Sequence, residues 1–263
     1  MGGIATLYGW AALVVLGYMT CWFVVALLRK RNDVADVAWG PGFVVVAGLA
    51  LALQRPPSAR LLLVAVLVAL WAMRLAVHIA SRGRGKAEDY RYAEWRRQWG
   101  RWFYLRTYLQ VFVLQGLFML AISASVVAVG ANRGGPLGWL DAFGAAVWLV
   151  GFVFETVGDR QLAAFLRDPA NAGSLIQGGL WRYSRHPNYF GEATQWWGLW
   201  LIALSVPWGW AAAVSPVAIT YTLLFVSGIP LLEKRFEGRA DWAEYKARTS
   251  AFVPLPPKRG VPD

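Results

Sequence analysis

The sequence predicts an all-α integral membrane protein of about seven transmembrane helices, with the N-terminus outside and the C-terminus cytoplasmic. Three observations carry that prediction. Of 263 residues, 57% are hydrophobic, 16% are charged and 16 are Trp, a polytopic composition. The apolar residues gather into seven runs, most of them near the roughly 20 residues a bilayer crossing needs. The cations are distributed with one strong bias. Three Lys and Arg fall at 29–31, eight at 82–106, four at 160–185 and seven at 234–259. The opposite side keeps only Arg55, Arg60 and Arg133, and Arg74 lies within a run. That is a positive-inside signal.

The runs are 7–28, 34–53, 61–80, 108–130, 137–157, 189–204 and 208–229. No arginine precedes the first run and no cleavage site follows it, so it reads as a retained helix. The net charge of +11 fits a cytoplasmic membrane face and an anionic cofactor drawn there, and calls for no nucleic acid. Cys21 is alone, so neither a disulfide nor a thiolate site is expected. With one Cys and two His, no metal centre is expected either.

After the first run, Asp33 can serve as an N-cap. Asp36 lies one turn further in, where a lone carboxylate is costly and a pocket or buried partner is expected. Gly40-Pro41-Gly42 loosens or kinks the second helix. In the third run Arg74 and His78 share a face. Arg74 either snorkels, pairs with Asp36 or touches a ligand, while His78 reads as an interfacial histidine.

Basic and aromatic residues alternate through 81–106, as in a helix lying on the inner leaflet, and Arg82-Gly83-Arg84-Gly85 offers amides to a phosphate. Gln110, Gln115, Ser123 and Ser125 of the fourth run line a groove or bond across helices. Glu155 and Asp159 stand one turn apart at the end of the fifth. They accept from ribose hydroxyls or an amide, or pair with Arg182 or Arg185. A connection through Arg167 to Gly179 then leads into Trp181-Arg182-Tyr183-Ser184-Arg185-His186-Pro187-Asn188-Tyr189-Phe190-Gly191-Glu192. Pro187 biases His186 away from helix, so a turn feeds the sixth run. Guanidiniums and an imidazole there suit an anionic ligand. The tail begins as a charged helix and ends in an extended run, 253–257. No G-x-G-x-x-G fingerprint or P-loop occurs. The chain reads as a single membrane domain, 1–263.

Gln177-Gly178-Gly179-Leu180-Trp181, Arg185-His186-Pro187-Asn188-Tyr189-Phe190-Gly191-Glu192, Leu231-Leu232-Glu233-Lys234-Arg235-Phe236 and Tyr245-Lys246 together resemble the steroid 5-alpha-reductase superfamily. With Asp36-Val37-Ala38-Trp39-Gly40-Pro41-Gly42-Phe43 the resemblance narrows to its bacterial DUF1295 branch. It implies a seven-helix bundle in the bacterial inner membrane. That bundle reduces a carbon–carbon double bond of a hydrophobic small molecule, with NADPH held on the cytoplasmic side by residues 108–263 and the substrate by the first three helices. Carried over by motif, Asn188 and Glu192 hold the nicotinamide end. Asp159, Arg167 and Tyr183 contact ribose or phosphate, and Arg185 and His186 add to the phosphate site. Glu155 stands where steroid reductases have Asn. The ketone-gripping Gln-Glu pair is replaced by Ala38 and Trp39, and the partner tyrosine by Trp71 or a neighbour. The string Gln54-Arg55-Pro56-Pro57-Ser58 mimics that pair but falls on the outer side. By their depth in the membrane, Asp36 with Arg74 is the candidate polar end of the substrate pocket, and Trp71 is the candidate at the tyrosine's position.

Two rivals remain. Isoprenylcysteine and phospholipid methyltransferases, which use S-adenosylmethionine, share the Arg-His-Pro-x-Tyr turn and a Glu…Tyr…Pro tail that Glu233, Tyr245 and Pro254 match loosely. A lipid-binding protein without catalysis is the other.

Overall fold

A computed structural model describes residues 2–83, 88 and 90–258. Among them there is no strand, only helices and one isolated parallel bridge, Ser184 with Ser250. The chain divides into two compact units, 1–141 with 202–215, and 142–201 with 216–263.

In the first unit, α1 (Gly2–Arg29), α2 (Val34–Leu53) and α3 (Ala59–Gly83) are followed by α4 (Tyr90–Trp99) and α5 (Phe103–Thr107), and then by α6 (Leu114–Ile122) and α7 (Ala124–Gly130). α2 and α3 form an antiparallel hairpin. A Cβ on Gly40 would stand 3.0 Å from the carbonyl oxygen of Ala72, so glycine lets the two backbones touch. α2 runs through Pro41 without ending. Carbonyls of its first turns are also bound from outside. Tyr18 donates to the Ala38 oxygen at 2.8 Å and Gln115 to the Ala35 oxygen at 3.0 Å. Gln115 thus bonds across helices, one of the two roles open to it. Asp33 holds the N-cap position of α2 but makes no capping bond. Its carboxylate turns to Arg31, at 2.6 Å, because a guanidinium two residues away is the stronger partner.

Where α2 ends, Gln54 is buried. Its amide donates to the Val129, Gly130 and Asn132 carbonyls at 3.0–3.3 Å and accepts from the Ser58 amide at 2.7 Å. Arg60 is buried too. Its fork meets Asp141 at 2.7 and 2.9 Å, and it also donates to the Pro136 and Gly135 carbonyls. Asp141 in turn accepts from the Gly138 amide at 2.7 Å.

The helix expected on a membrane surface at 81–106 is joined to the fourth apolar run. α4, a short 3₁₀ turn, α5, a π turn over 108–113 and α6 follow without a loop. Tyr92, Trp95, Trp99 and Phe103 form a ladder of ring contacts along it, with centroids 5.2–6.2 Å apart. Gly83 to Gly85 of the basic motif fall largely outside the described residues and side chains.

In the second unit, α8 (Trp139–Arg167, which begins in the first) and α9 (Pro187–Ala203) precede α10 (Val214–Tyr221), α11 (Ile229–Glu233) and α12 (Ala240–Arg248). α8 runs 29 residues, ten past the expected end of the fifth run. Arg167 therefore ends a helix rather than lying in a connection. Among the described residues six stretches are long and apolar enough to cross a membrane: Gly2–Arg29, Val34–Leu53, Ala59–Arg82, Tyr92–Ile122, Trp139–Arg167 and Gly209–Phe236. The expected sixth run became α9. At 17 residues it rises about 26 Å, short of a core of roughly 30 Å, and it carries Asn188, Glu192 and Gln195.

Candidate functional site

In the second unit the polar residues lie along a seam where α8 and α9 meet. Glycines recur every seven residues on both helices: 144, 151 and 158 on α8, 191 and 198 on α9. A Cβ on Gly151 would stand 2.5 Å from the Gly191 oxygen and 2.7 Å from the Gln195 nitrogen. One on Gly198 would stand 2.6 Å from the Gly144 oxygen and the Trp148 nitrogen. Side chains are excluded at these crossings, so the backbones close up.

Beside the glycines, buried polar groups then meet at hydrogen-bond distance. Gln195 donates to Glu155 at 2.6 Å, and Asn188 to Asp159 at 3.0 Å. Glu155, Asp159, Glu192 and Gln195 are all buried. Each amide keeps its carbonyl oxygen buried with no partner among the described residues, and so does the Thr156 hydroxyl. Buried polar atoms of this kind are uncommon and need an explanation.

A short 3₁₀ turn, Gly179–Arg182, leads to α9. Gly179 has φ +62°, a left-handed conformation suited to glycine. Its flank is closed by Gln161 of α8, which accepts from the Leu180 amide at 3.0 Å. Trp181 donates to the Gly158 carbonyl at 3.2 Å. The next residues grip the tail. The Arg185 amide donates to the Ser250 carbonyl at 2.8 Å, the Ser184 hydroxyl to the Phe252 carbonyl at 2.8 Å, and the Leu255 amide to the Tyr183 carbonyl at 3.0 Å.

Arg185 and His186 are buried by the same arrangement. The Arg185 fork meets Glu233 at 2.9 Å, and its remaining donor reaches the Thr249 carbonyl at 2.5 Å and the Lys246 carbonyl at 3.3 Å. His186 Nε2 lies 3.1 Å from the same Glu233 oxygen, and the ring stacks on Tyr189. Burial is the main influence on this imidazole and holds it below its usual pKa. Arg185 acts in the same sense and Glu233 opposes both. The Glu233 carboxylate accepts this hydrogen bond from the ring.

The other residues the resemblance singles out are open to solvent. Tyr183 is 42% exposed. Arg167 is exposed at the end of α8, where only its Nε is engaged, by the Ala163 carbonyl.

In the first unit, Gly40 against Ala72 sets the register of the hairpin. Asp36, one turn nearer the start of α2, therefore stands level with the Arg74–His78 turn of α3. Asp36 accepts from the hydroxyl of the buried Tyr92 at 3.1 Å. Trp71 is buried edge-on against Phe43, which meets Trp39 in the same way. Among the described residues no cluster of His, Cys, Asp and Glu suited to a metal occurs.

Sequence reasoning gave no role to Gln195 or Tyr92, and read Glu233 only as part of a motif. The seven-residue glycine spacing was a legible signal for the close crossing, and through it for Gln195, seven residues after Asn188 on the same face. Nothing local marks Glu233 as the partner of a residue 48 positions away.

These features define a helical integral membrane protein with a buried polar seam beside a motif-bearing turn. Residues 22–249 match the family described as "Protein of unknown function (DUF1295)", and the chain belongs to that family. It is 39% identical over 80 residues to "3-oxo-5-alpha-steroid 4-dehydrogenase 1" of Bos taurus, which covers 30% of each chain. This match supports a resemblance to the steroid 5-alpha-reductase superfamily over those 80 residues. It is also 31% identical over 163 residues to "Uncharacterized protein C594.04c" of Schizosaccharomyces pombe, covering 53% of this chain and 47% of that one. The matched regions thus span less than half the length of either relative. No solved structure matches with significance.

Proposed function

We propose that the protein is a membrane-embedded, NADPH-dependent reductase of a carbon–carbon double bond conjugated to a carbonyl, in a steroid-like or isoprenoid substrate. The observation that carries this reading is the seam between α8 and α9. Two amides there are held by two carboxylates, and each leaves a buried carbonyl oxygen without a partner among the described residues. A nicotinamide carboxamide has an N–H pair for such acceptors and an oxygen for such donors, so the seam fits that end of the cofactor. Asn188 and Glu192 would hold it, with Glu155 and Asp159 fixing the amides and Asp159 near the ribose.

The phosphates need exposed cations. Arg167 has free Nη groups among the described residues. Tyr183 stands exposed at the turn, whereas Arg185 and His186 hold the turn to Glu233 and support the phosphate site from within. When bound, the cofactor supplies a hydride. The protein must supply a proton and stabilise charge on the carbonyl oxygen. In the first unit, Asp36 with its Tyr92 partner is the candidate polar end of a substrate pocket. Arg74 is the candidate for the oxygen, and Trp71 with Phe43 forms an apolar wall.

The test is calorimetric titration of the detergent-purified chain with NADPH, with S-adenosylmethionine in parallel. Saturable NADPH binding, weakened at least tenfold in Asn188→Ala and Glu192→Ala at unchanged thermal midpoint, is the expected result. Binding of S-adenosylmethionine alone would make the protein a methyltransferase, and binding of neither would leave a lipid-binding role.

A further inference from the structure

We propose that the first unit, at the end where α1 begins, holds the headgroup of an anionic glycerophospholipid of the phosphatidylglycerol kind. The inference is independent of the reductase reading and uses none of the residues assigned to it. The site is a pocket between the start of α1, the end of α2 and the end of α7. It has a volume of about 370 Å³ and lies wholly within the first unit. Residues with little or no side chain leave the space. Gly3, Gly130 and Ala131 line it, and a Cβ on Gly3 would stand 3.5 Å from the Ala131 oxygen. Thr6, Trp10 and Arg133, all exposed, line it with them.

Charge selects the occupant. Arg133 is the one charged side chain of the described lining, and a bond from one Nη to the Arg55 carbonyl holds it in place. The rest of its fork is open among the described residues. Arg55, exposed beside it, spends Nε on the Ala52 carbonyl at 2.9 Å and keeps both Nη groups open in the same sense. The segments gathered at this end (2–10, 50–62, 128–141 and 204–213) carry one carboxylate, Asp141, and Arg60 has taken it. Two guanidiniums are left over, and a phosphodiester is their match. A headgroup with its own ammonium would find no carboxylate to receive it, whereas one ending in hydroxyls needs none.

Depth and shape agree with a lipid. Trp10, Trp139, Trp208 and Trp210 of the same unit are all exposed, and exposed tryptophans gather at the membrane–water interface. A pocket lined by Trp10 therefore lies at headgroup level, and the cation bias of the sequence makes this the outer leaflet. From the pocket, Trp10, Leu13 and Leu16 follow at three-residue steps along α1, all exposed. That stripe leads from the phosphate position into the apolar zone, where acyl chains can lie.

The experiment is native mass spectrometry of the full chain from detergent, titrated with phosphatidylglycerol or with phosphatidylethanolamine of the same acyl chains. The cationic opposite end also attracts anionic headgroups, so the reading is the difference between wild type and variant. Arg133→Gln should lose one bound phosphatidylglycerol, with affinity at that site down about tenfold, the low end for a lost charge-assisted hydrogen bond. Should that variant fail to fold, Gly3→Leu, which fills the pocket and leaves both arginines, should remove the same lipid. An unchanged phosphatidylglycerol count in a folded Arg133→Gln or Gly3→Leu overturns the site. Loss of phosphatidylethanolamine to the same extent overturns it as well, because the pocket would then hold any phospholipid. Full displacement of the lipid by millimolar inorganic phosphate would make this a site for a soluble anion and overturn the lipid assignment.

Discussion

Two arginines, Arg60 in the first unit and Arg185 in the second, are buried in similar ways and differ in one neighbour. Each aims its fork at a single carboxylate, Asp141 or Glu233, and gives its remaining donors to backbone carbonyls. Arg60 and Asp141 form a closed set that ties the start of α3 to the start of α8. Glu233 is shared between Arg185 and His186, so the second cluster contains an imidazole, the side chain whose ordinary pKa lies closest to neutrality. The difference teaches that a buried cation in a membrane protein need not mark a ligand site. The second cluster lies beside the candidate cofactor seam, yet its donors are already occupied within the protein.

The largest effect should come from removing one partner of either pair. Arg60→Ala leaves the Asp141 carboxylate buried and uncompensated, a loss of about 3–5 kcal/mol in reversible unfolding in detergent. Arg185→Ala should cost less, because His186 stays with Glu233. Equal losses would mean that the histidine contributes nothing and that the comparison fails.

A smaller effect should appear with pH, and only in the second cluster. His186 has a folded pKa below its unfolded value near 6.5, so below that pH the unfolded chain binds the extra proton. Stability is therefore fully kept above about 6.5 and declines as pH falls from there toward the folded value, by at most about 1.4 kcal/mol per unit. The thermal midpoint should follow that slope between pH 7 and 5, and His186→Gln should flatten it. An unchanged slope in the variant would assign the dependence to another group.

The smallest effect belongs to an exposed pair. Arg239 and Asp241, two residues apart and both open to solvent, meet at 2.5 Å. Surface pairs contribute little, so Arg239→Ala should leave the thermal midpoint unchanged within error, and a clear drop would show that exposure is a poor guide to which arginines matter here.

Much of the fold was legible because hydrophobic runs and cation placement are local signals. The hairpin of α2 and α3 and the end of α1 follow from them, and the turn before Pro187 follows from the proline; α1 begins five residues before its expected run. The end of α8 was not legible: after Val157 its residues become polar, and polarity alone does not say whether a helix stops or emerges into water. The joining of α4 to α6 was missed because a basic aromatic stretch looks the same lying on a surface as it does leading into a span.

At the candidate site, motif reading found Asn188, Asp159, Glu155 and Glu192, which the structure brings onto one seam. It also assigned Arg185 and His186 to a phosphate site, whereas the tail folds back and buries them. That contact depends on residues more than 40 positions away, and no local pattern reports it. Asp33 illustrates the same limit at short range, since a residue suited to capping was taken by the arginine two positions before it.

The glycines at 144, 151, 158, 191 and 198 act as a gauge. Because nothing projects from them, the gap between α8 and α9 is set by backbone thickness alone. The reach of Gln195 to Glu155 and of Asn188 to Asp159 is set with it. A single methyl at Gly151 or Gly191 would wedge the helices and loosen both polar pairs together, although neither glycine carries a functional group. For anyone redesigning the protein, these are the positions at which the site can be retuned or lost by adding carbon rather than by removing charge.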